Sequence, residues 1–134
     1  MSKVLIVEDS PTDSYLAQKC SRELFDEVQA VSSVSELSKT LESYHPSLLI
    51  IDLNLNDWKN GISVISEIRD TEGEISTVPI IVLSSRKTPA DRAHAEEAGA
   101  SGYLVKPVTV EALRAMAISV GVLAGPRHAA VARG

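Results

Sequence analysis

Apolar residues gather along the chain in short runs separated by stretches of mixed polarity. Runs at residues 3–7, 28–31, 48–51, 80–83 and 103–105 are each strand-length and rich in branched side chains, and they predict five β-strands. Between them the spacing changes to that of a helix, most clearly at Val34, Leu37, Leu41 and Tyr44. Ser33 with Glu36 three residues later forms a capping box at the start of that helix. Ser10 before Pro11, and Thr88 before Pro89 with Asp91 beyond, predict the starts of two more helices, and Gly99 supplies a stop. Strand and helix thus alternate five times, which predicts an α/β fold with a parallel sheet covered by helices on both faces. The first, third and fourth runs are continuously apolar, as strands buried on both faces must be, whereas residues 27–31 alternate and read as an edge strand. From Gly121 onward the pattern decays, so the expected division is a folded domain over 1–122 and a weakly ordered tail over 123–134.

Composition narrows the function more than the fold. With 134 residues the chain fits one domain, and 44% hydrophobic with 23% charged residues excludes disordered, collagen-like and disulfide-scaffold classes. A net charge of -5 argues against direct nucleic-acid binding, since a phosphate backbone would be repelled. Cys20 is the only cysteine and cannot form an internal disulfide, and no run of 18 apolar residues suits a membrane span. The expectation is a soluble cytoplasmic protein.

The polar residues then carry the chemistry. Glu8 and Asp9 follow the first strand, Asp52 the third, Ser84 the fourth and Lys106 the fifth, so all five stand at the C-terminal ends of strands. Ligands of open parallel sheets bind at that edge, where the strand order reverses, so residues scattered in sequence converge there. Taken singly, each has an ordinary reading as a helix-terminal acid, a turn residue, a cap or a loop lysine. Together they place three carboxylates in one crevice, where two unit charges about 4 Å apart repel by roughly 4 kcal/mol at an effective dielectric of 20. Lys106 supplies one compensating charge and a hard divalent cation would supply two, which points to Mg2+. A carboxylate nucleophile beside such a metal, with a lysine and a hydroxyl aimed at the transferring group, suits formation of an aspartyl phosphate.

At residues 4–10 (Val-Leu-Ile-Val-Glu-Asp-Ser), 49–54 (Leu-Ile-Ile-Asp-Leu-Asn), 82–85 (Val-Leu-Ser-Ser) and 102–107 (Gly-Tyr-Leu-Val-Lys-Pro), the chain resembles the receiver domain of two-component response regulators. The likeness runs from Lys3 to Val120 and is to the single-domain, chemotaxis-regulator-like members. It implies the flavodoxin-like doubly wound fold with strand order 2-1-3-4-5. It further implies Asp52 as phosphoacceptor, Glu8, Asp9, Asp52 and the Asn54 backbone carbonyl as the Mg2+ site, and Lys106 as the contact to a phosphoryl oxygen. Pro107 follows Lys106 in a pair whose peptide bond is often cis in the family. Ser84 and Tyr103 resemble the switch pair, in which the phosphoryl group draws the hydroxyl inward and the aromatic follows. Ser85 and Arg86 take supporting places, and Arg86 and Asn54 occupy positions that tune the lifetime of the phosphoryl group. Implied partners are a histidine kinase or histidine phosphotransfer protein upstream and a protein target downstream, engaged through the face of the fourth helix, fifth strand and fifth helix. Such a protein promotes its own phosphorylation and dephosphorylation and is not otherwise an enzyme.

The sequence departs from the family pattern at Asn56, where proline is usual, in a loop to Gly61 one residue longer than common, in an extended stretch at 70–77, and at Val108. No catalytic group is removed. Trp58 in that loop is either a partner contact or a ring folded on its own domain, while His45, His94 and His128 lack metal-ligand spacing and read as surface residues. Cys20 is expected to pack with Leu16 and Leu24. Only about a dozen residues follow the fifth helix, so a single-domain regulator without an output domain is expected. An unphosphorylated interaction module is disfavoured by the intact acidic set. A phosphatase with an aspartate nucleophile would carry its acidic pair on the first strand, and a flavin-binding domain would not place Glu8 and Asp9 where phosphate must sit.

Overall fold

The computed structural model describes residues 2–55 and 61–125, so the expectations for Asn56, Trp58 and their loop, for His128, and for the tail beyond residue 125 lie outside the described residues. The elements run β1 (Lys3–Val7), α1 (Pro11–Arg22), β2 (Glu27–Val31), α2 (Val34–Leu41), β3 (Leu48–Asp52), α3 (Gly61–Asp70), a 3-10 turn (Glu74–Thr77), β4 (Ile80–Ser84), α4 (Pro89–Ala98), β5 (Gly102–Val105) and α5 (Val110–Ser119). All strand pairs are parallel and the sheet order is β2-β1-β3-β4-β5, with β2 at one edge as its alternating pattern requires.

Alternate residues of the three central strands feed two separate cores. Leu5, Val7, Leu49, Ile51, Ile80 and Val82 pack against residues of α2, α3 and α4, whereas Val4, Ile6, Leu48, Ile50, Ile81 and Leu83 pack against α1 and α5. Each fully buried Leu or Ile contributes about 1.5–3 kcal/mol relative to exposure, so these strands fix the register and polar groups fall at the strand ends. Cys20 is buried in the second core with Leu24, while Leu16 is only half-buried, because Ala17 and Cys20 are the α1 positions turned to the sheet.

The caps follow the sequence with small adjustments. The side chains of Ser10, Thr88 and Thr109 accept the amides of Asp13, Asp91 and Ala112 and open α1, α4 and α5. Ser33 accepts the Glu36 amide, but the returning Glu36 carboxylate takes the amide and hydroxyl of Ser32. Helix α2 ends at Leu41, short of Tyr44, since Pro46 excludes helical backbone at His45. Tyr44 nevertheless packs on the first core and its hydroxyl donates to the Val4 carbonyl. Gly99 ends α4 at φ +117°, a conformation that favours glycine, and its carbonyl accepts from Arg69 Nε at 3.0 Å.

Candidate phosphoacceptor site

The C-terminal ends of β1, β3, β4 and β5 bring the expected residues together. Asp52 and Ser84 are the last residues of β3 and β4, which each run one residue beyond the expected apolar run because both residues still pair with the neighbouring strand. That placement buries them at 3% and 0% exposure. Glu8, just past β1, extends the ladder through its amide to the Val31 carbonyl and is 2% exposed. Asp9 is half-buried, and one carboxylate oxygen from each of Glu8, Asp9 and Asp52 lies within 4.8 Å of the others.

Lys106 enters this group from the loop after β5, where its amide donates to the Ser84 carbonyl at 2.8 Å. Its ammonium lies 2.8 Å from Glu8 Oε1 and 3.3 Å from Asp52 Oδ1. The Lys106–Pro107 bond is cis. Burial pushes the Glu8 carboxyl up to about 7, an effect that Lys106 opposes and Asp52 reinforces. Burial alone would lower the Lys106 ammonium, but its carboxylate partners outweigh that and raise it well above the ordinary lysine value. The crevice therefore holds more carboxylate than one ammonium balances. An all-oxygen, acid-rich donor set of this kind fits a hard divalent cation.

Backbone groups fix Asp52 and Glu8 further. Asp52 Oδ1 accepts the Asn54 amide at 3.2 Å, and Glu8 Oε2 accepts the Ser10 amide at 3.2 Å. Gly61, buried at the start of α3, donates its amide to the Leu53 carbonyl at 3.0 Å. A Cβ there would come within 2.6 Å of the Asp52 carbonyl oxygen, so only glycine lets α3 begin this close to Asp52.

Sequence reasoning missed two members of the site. Gly61 was visible as a glycine ahead of the apolar spacing Ile62, Ile65, Ile68. Asp13 is the other; its Oδ2 lies 3.0 Å from the Lys106 ammonium. The signal was its place three residues after the Ser10 cap, on the first turn of α1. Such an acid has an ordinary role at a helix N-terminus, and nothing local in sequence ties it to a lysine 93 positions away.

Ser84 and Tyr103 meet on one loop residue. The Ser84 hydroxyl accepts the Arg86 amide at 3.0 Å, and the Tyr103 hydroxyl donates to the Arg86 carbonyl at 2.8 Å. The Tyr103 ring is 6% exposed in the first core, with the Arg92 guanidinium 5.0 Å from its centroid. Ser85 and the Arg86 side chain face outward, Arg86 within 3.7 Å of Asp91. His45 and His94 are exposed, although His94 lines a shallow hollow with Asn54, Arg86 and Asp91 beside the acidic group.

Comparisons with known proteins place this geometry. Residues 4–118 match the family model of the response regulator receiver domain. The transcriptional regulatory protein BasR of Escherichia coli K12 is 35% identical over 116 residues, covering 84% of this chain and 49% of BasR. KdpE of Staphylococcus aureus, also a transcriptional regulatory protein, is 32% identical over 114 residues, covering 85% of this chain and 47% of the relative. The chain thus spans about half the length of these curated relatives. Among solved structures, the chemotaxis response regulator CheY4 of Vibrio cholerae superposes with a TM-score of 0.80 at 24% identity, over 90% of this chain and 98% of the other. A response regulator of Chloroflexus aurantiacus gives 0.81 at 25% identity, over 89% and 96%.

Proposed function

The chain belongs to the response regulator receiver family, and from that premise we propose that Asp52 accepts a phosphoryl group from a histidine kinase or histidine phosphotransfer protein in a Mg2+-dependent reaction. The observation that carries this reading is the Lys106 ammonium, 3.3 Å from Asp52 and 2.8 Å from Glu8, within a group of three carboxylates. An Asp52 carboxylate oxygen forms a bond to phosphorus as the bond from phosphorus to the donor imidazole nitrogen breaks, and the electron pair leaves with the nitrogen. Lys106 stabilises charge on the phosphoryl oxygens, and the Asn54 amide holds Asp52 in its attacking orientation. Glu8, Asp9, Asp52 and the Asn54 carbonyl would hold Mg2+, which supplies positive charge to the same oxygens.

The added group carries about -1.5 to -2 charge and recruits the Ser84 hydroxyl. Because Ser84 and Tyr103 share Arg86, that recruitment alters the β4–α4 loop and with it the face of α4, β5 and α5, which engages a downstream protein. We place the receiver domain over 1–122 and the protein in the cytoplasm, where it signals through protein partners rather than through nucleic acid or membrane. Among the described residues no helix is long and apolar enough to cross a membrane.

Acetyl phosphate with Mg2+ should add the mass of one phosphoryl group to the wild type and none to Asp52→Asn. Equal uptake by Asp52→Asn would overturn the assignment.

A further inference from the structure

An ammonium has three N–H donors, and three carboxylates surround this one: Glu8 at 2.8 Å, Asp13 at 3.0 Å and Asp52 at 3.3 Å. Glu8 and Asp52 sit inside the crevice with side chains 1% and 4% exposed, whereas the Asp13 side chain is 37% exposed on the first turn of α1. Of the three contacts, that to Asp13 has hydrogen-bond geometry, and Glu8 Oε1 accepts no hydrogen bond. A phosphoryl group on Asp52 brings new acceptor oxygens that compete with Asp13 for the same ammonium. Asp13 is also the most solvated of the three, so its charge can be removed without stranding a buried group.

We propose that Asp13 is a positioning residue that acts through Lys106, holding one of its N–H groups and drawing its positive charge away from the phosphoryl oxygens, and thereby restraining both the loading and the hydrolysis of Asp52. This rests on Asp52 as acceptor and Lys106 as the contact to the phosphoryl group. In loading from acetyl phosphate, the Asp52 oxygen bonds to phosphorus and acetate departs with the electron pair. In hydrolysis, a water oxygen bonds to phosphorus, the Asp52–phosphorus link breaks with its electrons returning to the carboxylate, and the water proton leaves with phosphate or solvent. Both transition states place charge on the oxygens that Lys106 touches, so an ammonium partly neutralised by Asp13 stabilises both less. Removing the Asp13 charge strengthens that stabilisation. The predicted direction is opposite to that of a residue needed only for structure, whose loss slows the chemistry or leaves it unchanged.

The test follows loading and decay by intact mass with acetyl phosphate and Mg2+ in wild type, Asp13→Asn, Asp13→Ser and Asp13→Glu, alongside calorimetric titration with beryllofluoride. Asp13→Asn and Asp13→Ser should load and decay about three- to five-fold faster, the size of a half-exposed ion pair, and bind beryllofluoride more tightly. Asp13→Glu, which keeps the charge, should return toward wild-type rates. Asp13→Ser is a good helix starter, so agreement between the two neutral variants separates lost charge from a damaged helix. If the wild type loads normally and both neutral variants load no faster, the assignment of Asp13 is overturned while that of Asp52 stands. If the wild type takes up no phosphoryl group, the reading of Asp52 fails and that of Asp13 falls with it.

Discussion

Two partly buried cations hold opposite edges of the sheet, and they are solvated in different ways. Lys106, at the C-terminal edge, is surrounded by carboxylates from β1, β3 and α1. Arg69, from α3, reaches the other edge and among the described residues meets only uncharged oxygens. Its Nη1 donates to the carbonyls of Val78 at 2.7 Å and Ser76 at 3.0 Å, and its Nε donates to that of Gly99. Burial accordingly lowers the Arg69 guanidinium, whereas carboxylate partners raise the Lys106 ammonium. Backbone carbonyls cannot leave or change charge, so Arg69 ties α3 to the 3-10 turn and the end of α4 permanently. The partners of Lys106 can be protonated, bound by a metal or modified, which is what a responsive site requires.

The largest expected effects test that contrast directly. Arg69→Met should lower unfolding stability by about 2–4 kcal/mol through unpaired carbonyls, with or without Mg2+. Lys106→Met should lose on the order of 3 kcal/mol in chelator near neutral pH, because buried carboxylates are left uncompensated, and should regain most of it in Mg2+. Urea unfolding of both variants with EDTA and with Mg2+ measures this. Rescue of Arg69→Met by Mg2+, or no rescue of Lys106→Met, would erase the distinction.

A smaller effect concerns pH. Glu8 titrates near 7 in the fold against about 4.5 in the unfolded chain, so between those values the native state holds the extra proton. Stability from this group is fully present below pH 4.5 and declines as pH rises through 7, with a slope of at most about 1.4 kcal/mol per pH unit. In chelator, wild-type stability should fall over this window and Glu8→Gln should stay flat. A wild-type curve parallel to that of Glu8→Gln would show that the carboxyl is not perturbed.

The same contrast explains what could be read from sequence. Continuous apolar runs at 48–51 and 80–83 and alternation at Glu27–Val31 reported burial directly, since every residue there answers to its own position in a parallel sheet. Glu8, Asp9, Asp52 and Lys106 were legible because a charged residue ended or followed an apolar run. Asp13, Gly61 and Arg69 were not, because each has an ordinary local reading as a helix acid, a helix start or a surface arginine. Their work lies in contacts such as Arg69 to Gly99, 30 positions apart, which no local spacing encodes. The buried Tyr103 ring was expected on β5, but its bond to Arg86 depends on the course of the loop after β4.

The smallest effect comes from that bond. The Arg86 peptide groups are held by one hydrogen bond from each of two strands, the Ser84 hydroxyl taking the amide and the Tyr103 hydroxyl serving the carbonyl. Tyr103→Phe keeps the buried ring and removes only the phenolic donor, so the cost is that of one neutral hydrogen bond, about 0.5–1.5 kcal/mol. Because Arg86 is exposed, water can take over its carbonyl, and the loss should fall at the lower end of that range. Amide exchange distinguishes a local tether from general loosening: residues 86–88 should exchange faster in Tyr103→Phe while β4 and β5 keep their protection. Unlike the Arg69 clamp, this contact is weak enough for a modification at Asp52 to shift, since a population changes only by the differential interaction of its two states. Beryllofluoride should therefore displace loop resonances less in Tyr103→Phe than in the wild type at equal occupancy. An unchanged response, or accelerated exchange throughout the sheet, would show that the phenol does not couple the loop to β5.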